Sequence, residues 1–113
     1  MSDDCIFCKI IRGEIPSARV YEDEYCYAFR DIHPQAPTHV LIVTKAHVAD
    51  LSEAAALPDG TLAGLIRAVG KVADKEGLES YRVIANRGED ACQTVRHLHL
   101  HVLGGRKMSE EMA

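Results

Sequence analysis

The chain has 113 residues, a formal net charge of −4 and 47% hydrophobic residues. That length fits one domain over 1–113. The acidic balance, with no basic run longer than Arg106-Lys107, excludes the cationic stripe a nucleic-acid groove needs. No apolar run approaches the roughly 20 residues of a membrane span, and the acidic start Met1-Ser2-Asp3-Asp4 is unlike a secretory signal. The expectation is a cytoplasmic protein whose partner is a small molecule. A domain of this size buries roughly 60–70% of its unfolded surface. A core and a deep cleft together therefore suggest a homodimer.

In chain order, Ile6, Phe7, Ile10 and Ile11 have helical spacing and predict a short helix from Cys5 to Arg12, ending near Gly13. Arg19–Glu22 and Tyr25–Phe29 read as a hairpin turning at Asp23-Glu24. Asp31–Pro37 is a proline-punctuated loop, and His39–Thr44 is a β-branched run that predicts a central strand. Leu51–Ala56 suggests a short helix. Leu62, Leu65, Ile66, Val69, Val72 and Ala73 mark the main helix, with Asp59 as N-cap and Gly77 as the C′ residue. Tyr81–Ala85 and Arg96–Leu103 are the fourth and fifth strands. Without regular βαβ alternation, this order gives an α+β fold with about five mostly antiparallel strands.

The chemistry concentrates in His97-Leu98-His99-Leu100-His101-Val102-Leu103. Alternate side chains of a strand share a face, so the three histidines project together and Leu98, Leu100 and Val102 face the core. Such a row suits either of two chemistries. Histidines two apart on a strand can ligate one zinc. A neutral imidazole held at one nitrogen can instead attack with the other, while its neighbours donate to developing charge. The run alone leaves both open.

This run, followed by Gly104-Gly105-Arg106, resembles the signature of the histidine-triad superfamily, and specifically its nucleotide-binding branch. Cys5–Ile11, Gly13–Ser17, Phe29–His39 and Asn86–Gly88 resemble family segments in the same order, so the likeness extends from Cys5 to about Lys107. The resemblance implies a histidine-triad fold and a purine nucleoside phosphoramidate hydrolase that releases a nucleoside monophosphate; the alternatives are a purine-nucleotide-binding or protein-interaction module with vestigial hydrolysis, or another nucleotide hydrolase of the superfamily. It implies His99 as the nucleophile, His101 at the α-phosphate or leaving group, His97 as the first triad member and His39 as a supporting histidine. Asp31 would bind the ribose hydroxyls. Asn86, Gln93, Thr94 and the Val95 backbone N–H would meet the phosphate, and Ile6, Phe7, Phe29, Ile32 and Leu41 would wall the base cleft.

The four cysteines are Cys5, Cys8, Cys26 and Cys92. By itself Cys5-x-x-Cys8 is weak evidence for a metal, because a closed site takes four ligands. Bacterial relatives complete such a site with two histidines, which correspond here to His47 and His97. The implied cofactor is a structural zinc on Cys5, Cys8, His47 and His97. Cys26 and Cys92 read as packing residues. Two features depart from the family pattern. Cys92 stands where many relatives have glycine, which suggests a narrower phosphate pocket. The ending Met108–Ala113 carries Glu110 and Glu111 in place of an aromatic-proline segment, which would disfavour acidic leaving groups.

Overall fold

The computed structural model describes residues 4–113. Helix α1 (Ile6–Ile11) is followed by strands β1 (Arg19–Glu22), β2 (Cys26–Arg30) and β3 (Thr38–Thr44). Then come helix α2 (Asp59–Lys75), β4 (Tyr81–Ile84) and β5 (His99–Gly104). Single 3₁₀ segments occupy Leu51–Ala56 and Glu89–Ala91. The five strands form one antiparallel sheet in the order β1-β2-β3-β5-β4, so β3 and β5 lie side by side within it.

Each element has a local cause. The side chain of Cys5 accepts from Cys8 N and so caps α1. At the hairpin, Asp23 Oδ1 accepts from the backbone N–H of Tyr25 and Cys26, which closes a tight turn without glycine. Helix α2 ends at Glu76, and Gly77 follows with φ +67°, the left-handed conformation expected of a C′ glycine. Gly64, inside α2, lets the helix lie against the Tyr25 ring, since a Cβ there would stand 2.6 Å from that ring.

Two features differ from the sequence expectation. Asp59 is the first helical residue and not the cap. Pro58 holds the N-cap position, where its fixed φ of −58° leads the chain into the helix without a side-chain hydrogen bond. The fifth strand begins at His99 and not at Arg96. Residues 94–98 instead bend, with His97 N donating to Val95 O and Leu98 N to Val48 O. On α2, Leu65, Ala68, Val72 and Ala73 are buried, most of them in the chain's own core. Exposed large hydrophobic residues include Ile66 on α2 and Tyr81, Val83 and Ile84 on the edge strand β4.

The sheet has two unlike faces. On one, Cys26, Ala28, Val40, Ile42, Leu98, Leu100 and Val102 pack against Leu57 and α2. On the other, Phe29, Leu41 and Val43 pack against Cys5, Phe7, Cys8 and Ile10 around α1. The histidines lie on this second face, where Phe7 meets the rings of both His97 and His99 edge-on.

Candidate active site and metal centre

Hydrogen bonds fix the tautomer of each buried histidine. The Nδ1 of His99 lies 2.6 Å from the carbonyl of His97. A carbonyl only accepts, so Nδ1 carries the proton and Nε2 keeps its lone pair. The N–H of Gln35 donates to His39 Nδ1 at 3.0 Å, which places the His39 proton on Nε2. That Nε2 lies 2.9 Å from His101 Nδ1 and donates to it. His101 in turn carries its proton on Nε2. Two neighbouring rings, 5.0 Å apart between centroids, thus hold opposite tautomers. One offers a lone pair and the other a donor.

Burial keeps these rings neutral. It lowers the pKa of His99, with a partial opposing effect from its bond to the His97 carbonyl. It also lowers His39, against the pull of Asp31. His101 is pushed down to about 4, by burial first and then by His99 and His39. Such a cluster of shifted groups beside a cleft is a mark of a functional site.

His99 and His101 open onto a cleft of about 460 Å³, within the range of small-molecule sites. Ile6, Phe7, Phe29, Ile32 and Leu41 line it, as do Asp31, Thr94 and Val95. Asp31 has two engagements. Its Oδ1 accepts from His33 N at 2.8 Å and caps the proline loop, while its Oδ2 lies 3.5 Å from His39 Nε2.

Other residues named from the sequence lie elsewhere. Gln93 braces a loop: its Nε2 donates to Ala49 O and Val95 O, and its Oε1 accepts from Gly88 N. It therefore braces the loop that brings Val95 to the cleft wall. Asn86 follows β4 and is not part of the cleft wall. Cys92 is exposed and also lies off that wall, with φ +63°. It is not placed to narrow the cleft, and its backbone explains why glycine suits the position. Several further wall residues have no site role assigned from the sequence: Ile10, Ile15, Pro16, Ser17, Ala18, Arg30 and His33. The segment 15–18 reaches the cleft through pairing geometry, since Arg30 N donates to Ala18 O. Arg30 itself is tied to Glu76 by two hydrogen bonds.

Behind this site, Cys5, Cys8, His47 and His97 converge, with one donor atom each and all four within 4.8 Å of one another. His97 Nε2 donates to the Thr44 carbonyl at 2.6 Å, leaving the Nδ1 lone pair facing the cluster. From that nitrogen, Cys5 Sγ is 3.3 Å away, Cys8 Sγ 3.6 Å and His47 Nδ1 3.2 Å. Cys8 Sγ and His47 Nδ1 are 3.3 Å apart. A tetrahedral zinc with ordinary bond lengths has edges of about 3.3 Å between nitrogens and about 3.6 Å between nitrogen and sulfur. The donor set fits such an ion. Burial, with Cys5 alongside, pushes the Cys8 thiol up to about 11, whereas a bound cation would draw off that proton. A second trio, Asp31, His39 and His101, also lies within 4.8 Å. There the hydrogen bond between the two rings already occupies the facing nitrogens.

Comparison with known proteins agrees with this geometry. A HIT domain family model matches residues 12–108. An uncharacterized HIT-like protein of Synechococcus elongatus is 51% identical over 110 residues, covering 96% of each chain. The purine nucleoside phosphoramidase of Escherichia coli is 42% identical over 115 residues, covering 100% of this chain and 97% of that protein. A HIT family hydrolase from Clostridium thermocellum superposes with a TM-score of 0.92 at 42% identity, covering 100% of both chains. A Zn-bound histidine triad family protein from Mycobacterium smegmatis superposes at 0.80 with 34% identity, over 95% of this chain and 78% of that one.

Proposed function

The chain belongs to the HIT family, and from that premise we propose that it is a purine nucleoside phosphoramidate hydrolase with His99 as nucleophile. The observation that carries this reading is the pair of opposite tautomers at the cleft: a bare Nε2 on His99 beside an Nε2–H on His101. The phosphoramidase relative from Escherichia coli supports the substrate class.

In this reading the base lies in the apolar slot between Phe7, Phe29 and Leu41. Asp31 turns its second carboxylate oxygen to the ribose hydroxyls, its first being held by His33 N. The α-phosphate then reaches His99. Its Nε2 bonds to phosphorus as the P–N bond breaks, and the amine leaves with a proton from water. His101 donates to a phosphate oxygen or to the departing nitrogen. Thr94 and the Val95 N–H add neutral donors, which stabilise the transition state without a cation. Water then displaces the histidine and releases the nucleoside monophosphate. Two displacements replace one difficult step.

Zinc on Cys5, Cys8, His47 and His97 is the proposed cofactor. All four positions are taken by the protein, so the ion has no open site for water and its part is to hold structure. A cytoplasmic setting would keep the two thiols reduced. We also read β4 as the contact of a homodimer, since Tyr81, Val83 and Ile84 stay exposed on an unpaired strand edge. Sedimentation at micromolar concentration should give twice the mass of 12.4 kDa, and a lone 12.4 kDa species would reject the dimer.

The test of the activity is AMP release from adenosine 5′-phosphoramidate by wild type and His99→Ala, side by side. Turnover by wild type with a loss of at least about a hundredfold in the variant supports the assignment. Equal rates would reject the nucleophile, and no turnover by either would reject the substrate class.

A further inference from the structure

The metal cluster and the nucleophile meet in one residue. The His97 ring presents Nδ1 to Cys5, Cys8 and His47 and anchors Nε2 on Thr44 O. Its own carbonyl holds His99 Nδ1–H at 2.6 Å. A second link runs through α1. Phe7 sits between Cys5 and Cys8 in sequence, and its ring lies edge-on to His99 with centroids 5.1 Å apart. The His99 ring is thus held on one side by the backbone of a candidate ligand and on another by a side chain carried between two more.

We propose that His97 is a positioning residue: the filled Cys5-Cys8-His47-His97 site sets the carbonyl that holds His99 in its nucleophilic tautomer, so metal occupancy controls turnover as well as stability. This rests on the zinc and nucleophile readings above. Residues 94–98 explain why occupancy matters. They lie outside the strand ladder, which begins at His99, so the peptide that carries the His97 carbonyl is held by one backbone hydrogen bond, Leu98 N to Val48 O, and by the His97 ring. The ring is the side-chain anchor, tied on one side to Thr44 and on the other to the cluster. With the cluster empty, the two facing Nδ1 atoms of His47 and His97 sit 3.2 Å apart with no cation between them. In this proposal, relaxation of that contact carries through the ring into the His97 peptide, and the proton on His99 is then free to reside on either nitrogen.

The experiment compares zinc-loaded wild type, chelator-stripped wild type, His47→Gln and Leu62→Ala. His47 is half-buried and, like the other three ligands, lies off the cleft wall, so its replacement tests transmission without touching substrate. Leu62 packs on the opposite face and serves as a destabilised control. Three quantities are read: bound zinc, kcat and KM for adenosine 5′-phosphoramidate, and the His99 tautomer from imidazole ¹⁵N shifts. Stripped protein and His47→Gln should lose about tenfold or more in kcat, as is common when a supporting ligand shell is cut, with KM changed less than about threefold. Their His99 signals should show a mixture of tautomers. Leu62→Ala should melt lower with kcat and tautomer unchanged. An unaltered His99 tautomer in stripped protein, an unaltered kcat, or failure to bind zinc overturns the proposal. If zinc-loaded wild type does not turn over, the hydrolase reading fails, and the tautomer shift alone decides the coupling.

Discussion

Strand β5 and the residues just before it carry the two sides of this protein on alternate positions. Leu98, Leu100 and Val102 enter the α2 face and are 5% exposed or less. His97 and His99 enter the α1 face and are buried almost as deeply, at 0% and 7%. Equal burial serves opposite ends. On the α2 face the side chains contribute by leaving water, at roughly 25 cal/mol per Å² of apolar area. On the α1 face burial penalises every imidazole that would ionise, and the hydrogen bonds to His97 O, Thr44 O and Gln35 N recover part of that cost. The lesson is that one face makes the sheet stable and the other carries the proposed chemistry, with the polar atoms of the second face directed by backbone groups.

Adjacent substitutions should separate the two faces. His99→Ala should lower kcat/KM at least about a hundredfold, or about 2.7 kcal/mol of transition-state stabilisation. Its melting temperature should change little, because the lost ring borders a cleft. Leu100→Ala, one residue on, should cost about 2–5 kcal/mol of stability through the cavity it leaves against α2, with kcat per folded molecule preserved. Urea titration and initial rates on both variants provide the check. A stable but inactive Leu100→Ala would break the distinction.

Much of this contrast is legible in the order of residues alone, because period-two alternation assigns the faces of β5. The cleft wall from Ile6 to Leu41 is legible only through family resemblance, since apolar residues there look like any core. Other features are hidden for physical reasons. Gln93 makes three backbone contacts across the 88–95 loop and to Ala49, and no local pattern announces them. The segment Ile15–Ala18 reaches the cleft only through its pairing with β2, a contact distant in sequence. Alternation extends β5 three residues too far, to Arg96, because Arg96 to Leu98 continue the pattern while their backbone bonds go to Val48 and Val95. The histidine tautomers depend on acceptors elsewhere in the chain, such as Thr44 O for His97.

The pH responses of the two faces should also differ. Burial holds His39, His99 and His101 below the ordinary imidazole value, and His101 near 4. Between pH 6.5 and about 4 the unfolded chain binds protons that these rings refuse in the native state. Their neutral burial is therefore compatible with full stability above pH 6.5. As the pH falls through that window, stability declines by at most about 1.4 kcal/mol per unit for each group. In the proposed mechanism His99 attacks as the neutral ring, so kcat/KM should stay level from about pH 7.5 to 6.5 and decline only below it. Denaturant melts and rate profiles from about pH 8 to 4.5 test both statements. An acid limb centred at or above about pH 6.5 would show that the histidine face is wetter than the structure has it.

The smallest expected effect lies off both faces, at Cys92. It is the one non-glycine residue with positive φ among the described residues, at φ 63° and ψ 37°, and its side chain is exposed. An L side chain in this conformation costs roughly 1–2 kcal/mol, which glycine does not incur. Glycine gives back about 0.5–1 kcal/mol through the greater freedom of its unfolded chain. Cys92→Gly should therefore stabilise by about 0.5–1 kcal/mol and raise the melting temperature by about 2–5 °C. Because Cys92 lies outside the cleft wall, kcat and KM should be unchanged. A fall in KM with no thermal gain would instead mean that the thiol reaches the phosphate end, and that the 88–95 loop belongs to the reactive face.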